Sequence, residues 1–294
     1  MPRGAIGSDA MTDAASLARA HALADEADRR SGIRTREARP DELAGALARF
    51  DATWGVGRTV DLASLKAIAH AGNTVLVAVP EPGRADAAGE LAAPGDVPLG
   101  AALGFLGWDG GLHVHSHMNA VDPGARGRGI GVALKLRQRA ICLEHAIDEV
   151  RWTYDPLIRR NAHMNLVRLG AEVIAYHPDF YGELRDAISG GDRSDRFEVR
   201  WRLASPRVAR ALARMPQPAW NAEGGLALTA DFEGVRAADP RAAADLRDAS
   251  REAFAMLAEG RLRPELDASG DYVFTADDVD RAPDSAISGT PPGS

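Results

Sequence analysis

Cysteine is almost absent from the 294-residue chain, Cys142 standing alone. That excludes an intramolecular disulfide and a cysteine-based zinc site, and it points to a reducing compartment. Lysine is nearly as scarce. Lys66 and Lys135 are the only two, so arginine carries the basic side, and with the heavy use of alanine this reads as compositional bias. Long apolar runs are missing too: the longest, 74–80 and 98–108, fall far below the ~20 residues of a membrane span. Residues 1–30 set Asp9, Asp13, Asp25, Glu26 and Asp28 into an alanine-rich run with no apolar centre, unlike a secretory signal. The expected location is cytoplasmic. A formal charge of -7 argues against general nucleic-acid binding or a polybasic membrane anchor.

What is present is ordinary for a soluble globular protein, with 45% hydrophobic and 26% charged residues. Length alone suggests two domains at roughly 150 residues each. The first 30 residues and the stretch 279–294 lack hydrophobic periodicity and read as a mobile and a disordered tail. Between them strand-like and helix-like segments alternate. Strands are expected at 32–38, 73–79, 99–108, 112–121, 149–154, 171–176 and 197–203, with Gly110-Gly111 as a hairpin turn. Helices are expected at 41–50 with Asp41 as cap, 62–71 with Asp61 as cap, 129–146 and 160–169. A helix at 240–257 and a hairpin at 262–274 follow. The fold class is α/β (α+β), with one domain at 31–203 and a C-terminal extension at 204–278.

Chemistry concentrates in one turn. Residues 123–129, Pro-Gly-Ala-Arg-Gly-Arg-Gly, separate a strand from a long helix, and a helix N-terminus offers free N–H groups to an anion. From 123 to 143 there are Arg126, Arg128, Lys135, Arg137 and Arg139 and no acidic residue. In an acidic chain this is a local reversal of polarity. A P-loop would need Lys and Ser/Thr after the second glycine, and Gly129 is followed by Ile130 and Gly131. A dinucleotide fingerprint would need glycine at 132, which is valine.

The surviving pattern, Arg126-Gly-Arg-Gly129-Ile-Gly131, resembles the Gln/Arg-x-x-Gly-x-Gly/Ala motif of the GNAT superfamily of acyl-CoA-dependent N-acyltransferases. The segment 119–124, Asn-Ala-Val-Asp-Pro-Gly, is similar to the strand end and turn before that motif. Asn161-Ala162 with Leu169-Gly170-Ala171 is similar to its second block. A narrower resemblance, carried by 115–118, 152–157, 161–165, Tyr181-Gly182, 194–196 and Trp201, is to a branch of predicted acetyltransferases sometimes associated with N-succinyl amino acid racemases. The resemblance implies a GNAT-type, mostly antiparallel central sheet flanked by helices. It also implies transfer of an acetyl or succinyl group from acyl-CoA to the amine of a small molecule such as an amino acid. Coenzyme A pyrophosphate would then be held by Arg126, Gly127, Arg128, Gly129, Ile130 and Gly131. Asn119, Ala120, Val121 and Asn161 would contact the rest of the molecule, and backbone N–H groups near 119–121 would serve the oxyanion.

Candidate acids and bases follow from residue type. His113, His115 and His117 alternate on one strand and are expected on one face. His115 or His117 could take the amine's proton; the other readings are a face that fixes the strand, or a metal row, which no nearby carboxylate supports. No metal is expected. The resemblance implies a thiolate-protonating tyrosine at a position that here is Leu166, leaving Tyr154 or Asn165 beside it, with Tyr176 and Tyr181 as further donors. Trp152, Tyr154, Trp201, Trp54 and Trp108 either line an acceptor pocket or fill a sheet face. Expected partners are a small amine or amino acid, neither nucleic acid nor membrane, with a homodimer left open. A CoA-binding module without transfer activity is the competing reading.

Overall fold

The computed structural model describes residues 14–81, 97–182 and 192–283. They fall into two compact units, one of residues 14–81 and 97–153, the other of 154–182 and 192–283.

In the first unit, strands β1 (Ile33–Glu37), β2 (Val75–Pro80), β3 (Gly100–Gly107), β4 (His113–Val121) and β5 (Glu149–Tyr154) lie side by side in chain order. The first four pair antiparallel and β4 pairs parallel with β5. Both faces are covered, which is why β2 is a continuous apolar run. Val75 and Val77 pack with Ala101, Leu103, Met118 and Ala120 against helices α2 (Leu43–Trp54) and α3 (Leu62–His70), chiefly at Leu43, Ala46, Phe50 and Leu65. Leu76 and Ala78 face the other way, onto Ile130, Ala133 and Leu134 of α4 (Ile130–Glu144). Asp61 caps α3 by accepting from the Ser64 N–H at 2.9 Å. Asp41 does not cap α2. Its N-cap is Glu42, whose carboxylate instead accepts from Arg36 and from the Arg39 N–H.

The expectation of a mobile tail through residue 30 is corrected: residues Ala14–Ser31 form helix α1, which packs on α4. Its apolar face is alanine, with Ala20 and Ala24 buried, so it carried little periodic signal. Residues 1–13 and 284–294 of the expected tails lie outside the described residues.

The second unit holds β6 (Glu172–His177) antiparallel to β7 (Arg196–Arg202), and a three-stranded sheet ordered β8 (Gly224–Leu226), β10 (Tyr272–Thr275), β9 (Arg263–Leu266). Helices α5 (Arg159–Ala162), α6 (Pro206–Leu212), α7 (Phe232–Ala238) and α8 (Pro240–Phe254) belong here. The expected helix at 160–169 is a single α turn followed by a π-helix, His163–Arg168. Phe197 contacts Tyr154, Tyr176, Phe254 and Tyr272 with ring centroids 4.6 to 5.9 Å apart. This aromatic core is shared by residues 154–182, β7 and the expected extension 204–278, all within the second unit. The fold class is nonetheless the expected one, a mixed α/β arrangement with a mostly antiparallel sheet and a small C-terminal sheet.

Candidate functional site

Strand β4 is irregular where the candidate residues sit. Leu103 faces Met118 but Gly104 faces Ser116, so β4 carries one extra residue, His117, as a bulge. A bulge leaves a residue out of the ladder and reverses which face later side chains occupy. Ser116 before it and Asn119 after it both reach α4: Ser116 Oγ lies 2.7 Å from Lys135 Nζ, and Asn119 Nδ2 donates to the Gly131 carbonyl at 3.1 Å. On its other edge β4 pairs with β5 only at Val114 with Val150 and His115 with Arg151. From Ser116 to Val121, the strand edge beyond β3 therefore has no register partner in the first unit. Asn119 Oδ1 is buried with no donor.

The three histidines divide in role. His113 is buried and its Nδ1–H donates to the Gly111 carbonyl at 2.8 Å. Its ring also fills the space above Gly107, where a Cβ would come within 2.7 Å of Nε2, so it secures the hairpin. His115 and His117 stack with Phe105 at 5.3 and 5.8 Å between centroids. His117 keeps an exposed edge, yet the protein around its ring desolvates the imidazolium and holds its pKa below the ordinary value. It is neutral at pH 7. Among the described residues no group of three or more His, Cys, Asp or Glu side chains is arranged to hold a metal ion.

Beyond Val121 the chain turns under a fixed clamp. Asp122 accepts from the Gly124 N–H at 2.8 Å and pairs with Arg49 at 2.7 Å, while Arg49 Nε donates to the Pro98 carbonyl at 2.8 Å. Arg126, Gly127, Arg128 and Gly129 are exposed, and Gly127 and Gly129 have φ of 80° and 89°. That left-handed backbone is open to glycine at little cost. Arg128 donates to the Ser31 carbonyl at 2.8 Å, so α1 steadies the turn from outside. Gly129 is the N-cap of α4 and supplies no side-chain cap, which leaves the first-turn N–H groups for an external acceptor. Ile130 is fully buried, and holds the helix start on the sheet instead of facing a ligand. Ala120 is likewise buried, in the α2 and α3 core.

Sequence reasoning missed the buried lysine beneath this strand. Lys135 lies against Ser116 with its ammonium 3.7 Å from the centre of the Trp152 ring. Burial brings its pKa down to about 7. The one available signal was a lone lysine on a helix otherwise basic through arginine.

Tyr154, Asn161 and Asn165 belong to the second unit. Tyr154 is buried in the aromatic core, its hydroxyl 3.0 Å from that of Tyr272, which in turn donates to the Pro156 carbonyl at 3.0 Å. The Tyr154 proton is therefore given to Tyr272, and desolvation raises its pKa well above that of free tyrosine. Tyr176 donates to Asp195 at 2.9 Å. Asn165 and Leu166 are buried in the π-helix and Asn161 is partly exposed on α5. Trp201 is wholly buried and donates to the Leu169 carbonyl, whereas Trp108 is 82% exposed. Neither position marks a pocket.

No family model and no curated protein matches the chain. Solved structures do resemble it in fold. An N-acetyltransferase from Staphylococcus aureus matches at 16% identity and TM-score 0.43, covering 58% of this chain and 98% of that one. The yncA protein of Salmonella typhimurium, solved with its cofactor acetyl-CoA, matches at 19% identity and TM-score 0.43, covering 59% and 95%. A chain of the NatC complex bound to Gag peptide and CoA matches at 15% and 0.43, covering 58% and 98%.

Proposed function

We propose that this protein is a GNAT-type N-acyltransferase that moves an acetyl or succinyl group from acyl-CoA to the amine of a small molecule such as an amino acid. The observation that carries the reading is the continuity of an unpartnered β4 edge, residues 116–121, with a glycine turn that ends in an uncapped helix. The residues fit coenzyme A. Exposed Arg126 and Arg128, glycines at positive φ and the free first-turn N–H groups suit a pyrophosphate. The open strand edge and the donor-less Asn119 Oδ1 suit the amide groups of a pantetheine arm.

Acyl-CoA supplies the thioester. His117, neutral at pH 7, accepts the proton that the attacking ammonium must lose before its nitrogen bonds to the carbonyl carbon. Backbone N–H groups at the bulge and along 119–121 stabilise the oxyanion. Collapse breaks the C–S bond, and the nitrogen sheds its second proton to water, from which the departing thiolate can be protonated. A thiolate leaves without a tyrosine donor, because position 166 is leucine and the Tyr154 proton is committed to Tyr272.

That last feature favours one second reading, a CoA-binding module without transfer. Thiol release measured with and without a panel of amines separates the two; release only when amine is present supports the enzyme. Acetyl-CoA or succinyl-CoA is expected to raise the melting temperature, and Gly131→Leu to abolish the rise while the protein stays folded. A Cβ at 131 meets nothing closer than 3.7 Å, so the substitution fills ligand space without a clash at Cβ. No stabilisation by any acyl-CoA would overturn both readings.

A further inference from the structure

In the second unit a partly open cleft is lined by Arg207, Arg210, Gln217, Trp220 and Val279, among others. Its surroundings are short of acceptors. The Trp220 Nε1 is buried with no hydrogen-bond partner, and so is Arg263 Nη2. Both unmet groups are N–H donors, and a buried donor left without an acceptor is destabilising. The guanidinium carbons of Arg207 and Arg263 each stand 5.8 Å from the Trp220 ring centre.

Charge is unbalanced in the same direction. Arg207 and Arg263 share the buried Glu265. A third arginine, Arg210, has no carboxylate at ion-pair distance among the described residues; its charge acts on Asp280 from farther away, and it donates to the Arg281 carbonyl at 2.7 Å. Three guanidinium groups, those of Arg207, Arg210 and Arg263, thus stand at the cleft or over Trp220, with Glu265 and Asp280 as their carboxylates.

We propose that this cleft binds a small oxyanion, of the carboxylate or phosphate kind, on Trp220 and Arg210. Such a ligand carries acceptors only and adds negative charge where it is lacking. A neutral ligand or a single water would satisfy a donor but leave the charge uncompensated. This site is separate in residues from the glycine turn and stands or falls independently of the acyl-CoA reading.

The test is the melting temperature of the full chain titrated with sodium phosphate or sodium acetate, at ionic strength held constant with chloride. Wild type is expected to rise saturably with at least one of the two anions, and which one responds sets the ligand class. Trp220→Phe keeps an aromatic ring and deletes the donor; Arg210→Gln deletes a positive charge at the cleft. Each is expected to weaken the response by about tenfold or more. Without anion, Trp220→Phe should be no less stable than wild type, since it removes an unmet donor. An equal rise with chloride, or both variants responding as wild type does, overturns the proposal; the latter would also place any phosphate effect elsewhere, such as the glycine turn. Arg210, partly exposed and held by one carbonyl, remains informative if the tryptophan variant fails to fold.

Discussion

Lys135 Nζ sits 2.7 Å from Ser116 Oγ and over the Trp152 ring, buried and with no carboxylate partner among the described residues. The pair ties the middle of α4 to the strand position immediately before the His117 bulge. A cation in that place is disfavoured by lost hydration, and burial lowers the lysine's pKa to about 7.

The pH dependence of stability follows in sign. In the unfolded chain lysine titrates near 10.4, so between about pH 7 and 10 the unfolded state holds a proton that the folded state does not. Stability therefore rises with pH across that window, by up to about 1.4 kcal/mol per unit. Below pH 7 both states are protonated and the penalty is at its full value. Lys135→Met removes this contribution, so the difference in unfolding free energy between variant and wild type should be largest near pH 7 and shrink toward pH 10. Chemical denaturation at several pH values measures it; parallel curves would contradict the assignment.

Arg49 holds the entrance of the glycine turn through Asp122 and the Pro98 carbonyl. Arg49→Met should cost about 2 kcal/mol, less than a fully buried pair because Asp122 is one third exposed. Asp122→Asn keeps an acceptor for the Gly124 N–H while removing the charge. In that background the arginine substitution should cost measurably less, and a double-mutant cycle in denaturant reads the coupling. Strict additivity would mean that the ion pair does not hold the turn.

Much of this was legible beforehand, for physical reasons that particular residues display. A strand buried on both faces announces itself as an apolar run, as residues 75–79 do, and a glycine turn before a helix is written in its residues. Helix α1 was not legible, since alanines such as Ala20 and Ala24 carry little apolar area to form a pattern. The bulge left no trace either: one inserted residue has no composition of its own. Strict alternation would have put Asn119 on the side of His113, whereas the bulge turns it toward α4 beside Ser116. Tyr154 looked like a free acid because the residue that ties up its proton, Tyr272, is 118 positions away.

Gly104 stands opposite the bulge, and its missing side chain is what allows the strands to close there. A Cβ would come within 2.5 Å of Gln138 Nε2, 2.8 Å of Thr74 Oγ1 and 3.0 Å of Val114 Cγ1. Those are groups of α4 and the sheet core, with Gln138 fully buried and bonded to Thr74 at 3.0 Å. Gly104→Ala should destabilise by about 1–3 kcal/mol through overpacking. A loss under about 0.5 kcal/mol would indicate that Gln138 yields freely.

His117 gives the sharpest test of the chemistry. Its pKa lies below the ordinary 6.5 because burial disfavours the charged ring, so the base form is already dominant at pH 7 and protonation removes it only as pH falls further. The amine substrate contributes its own pH dependence at higher values, which is the same in any variant. The informative quantity is therefore the ratio of wild-type to His117→Gln kcat, measured by thiol release over about pH 5 to 8. That ratio should be 10² to 10⁴ on its upper plateau, the range typical of general-base catalysis, and should fall as pH drops below the ordinary histidine range. The KM for acyl-CoA should stay within about twofold, because the glycine turn proposed to hold its pyrophosphate is untouched. His113→Gln serves as the control: its ring donates to Gly111 and packs over Gly107, so it should lower stability and leave the shape of the pH profile intact. A flat ratio near one across the whole range would remove His117 from the reaction and leave proton transfer to water along the open β4 edge.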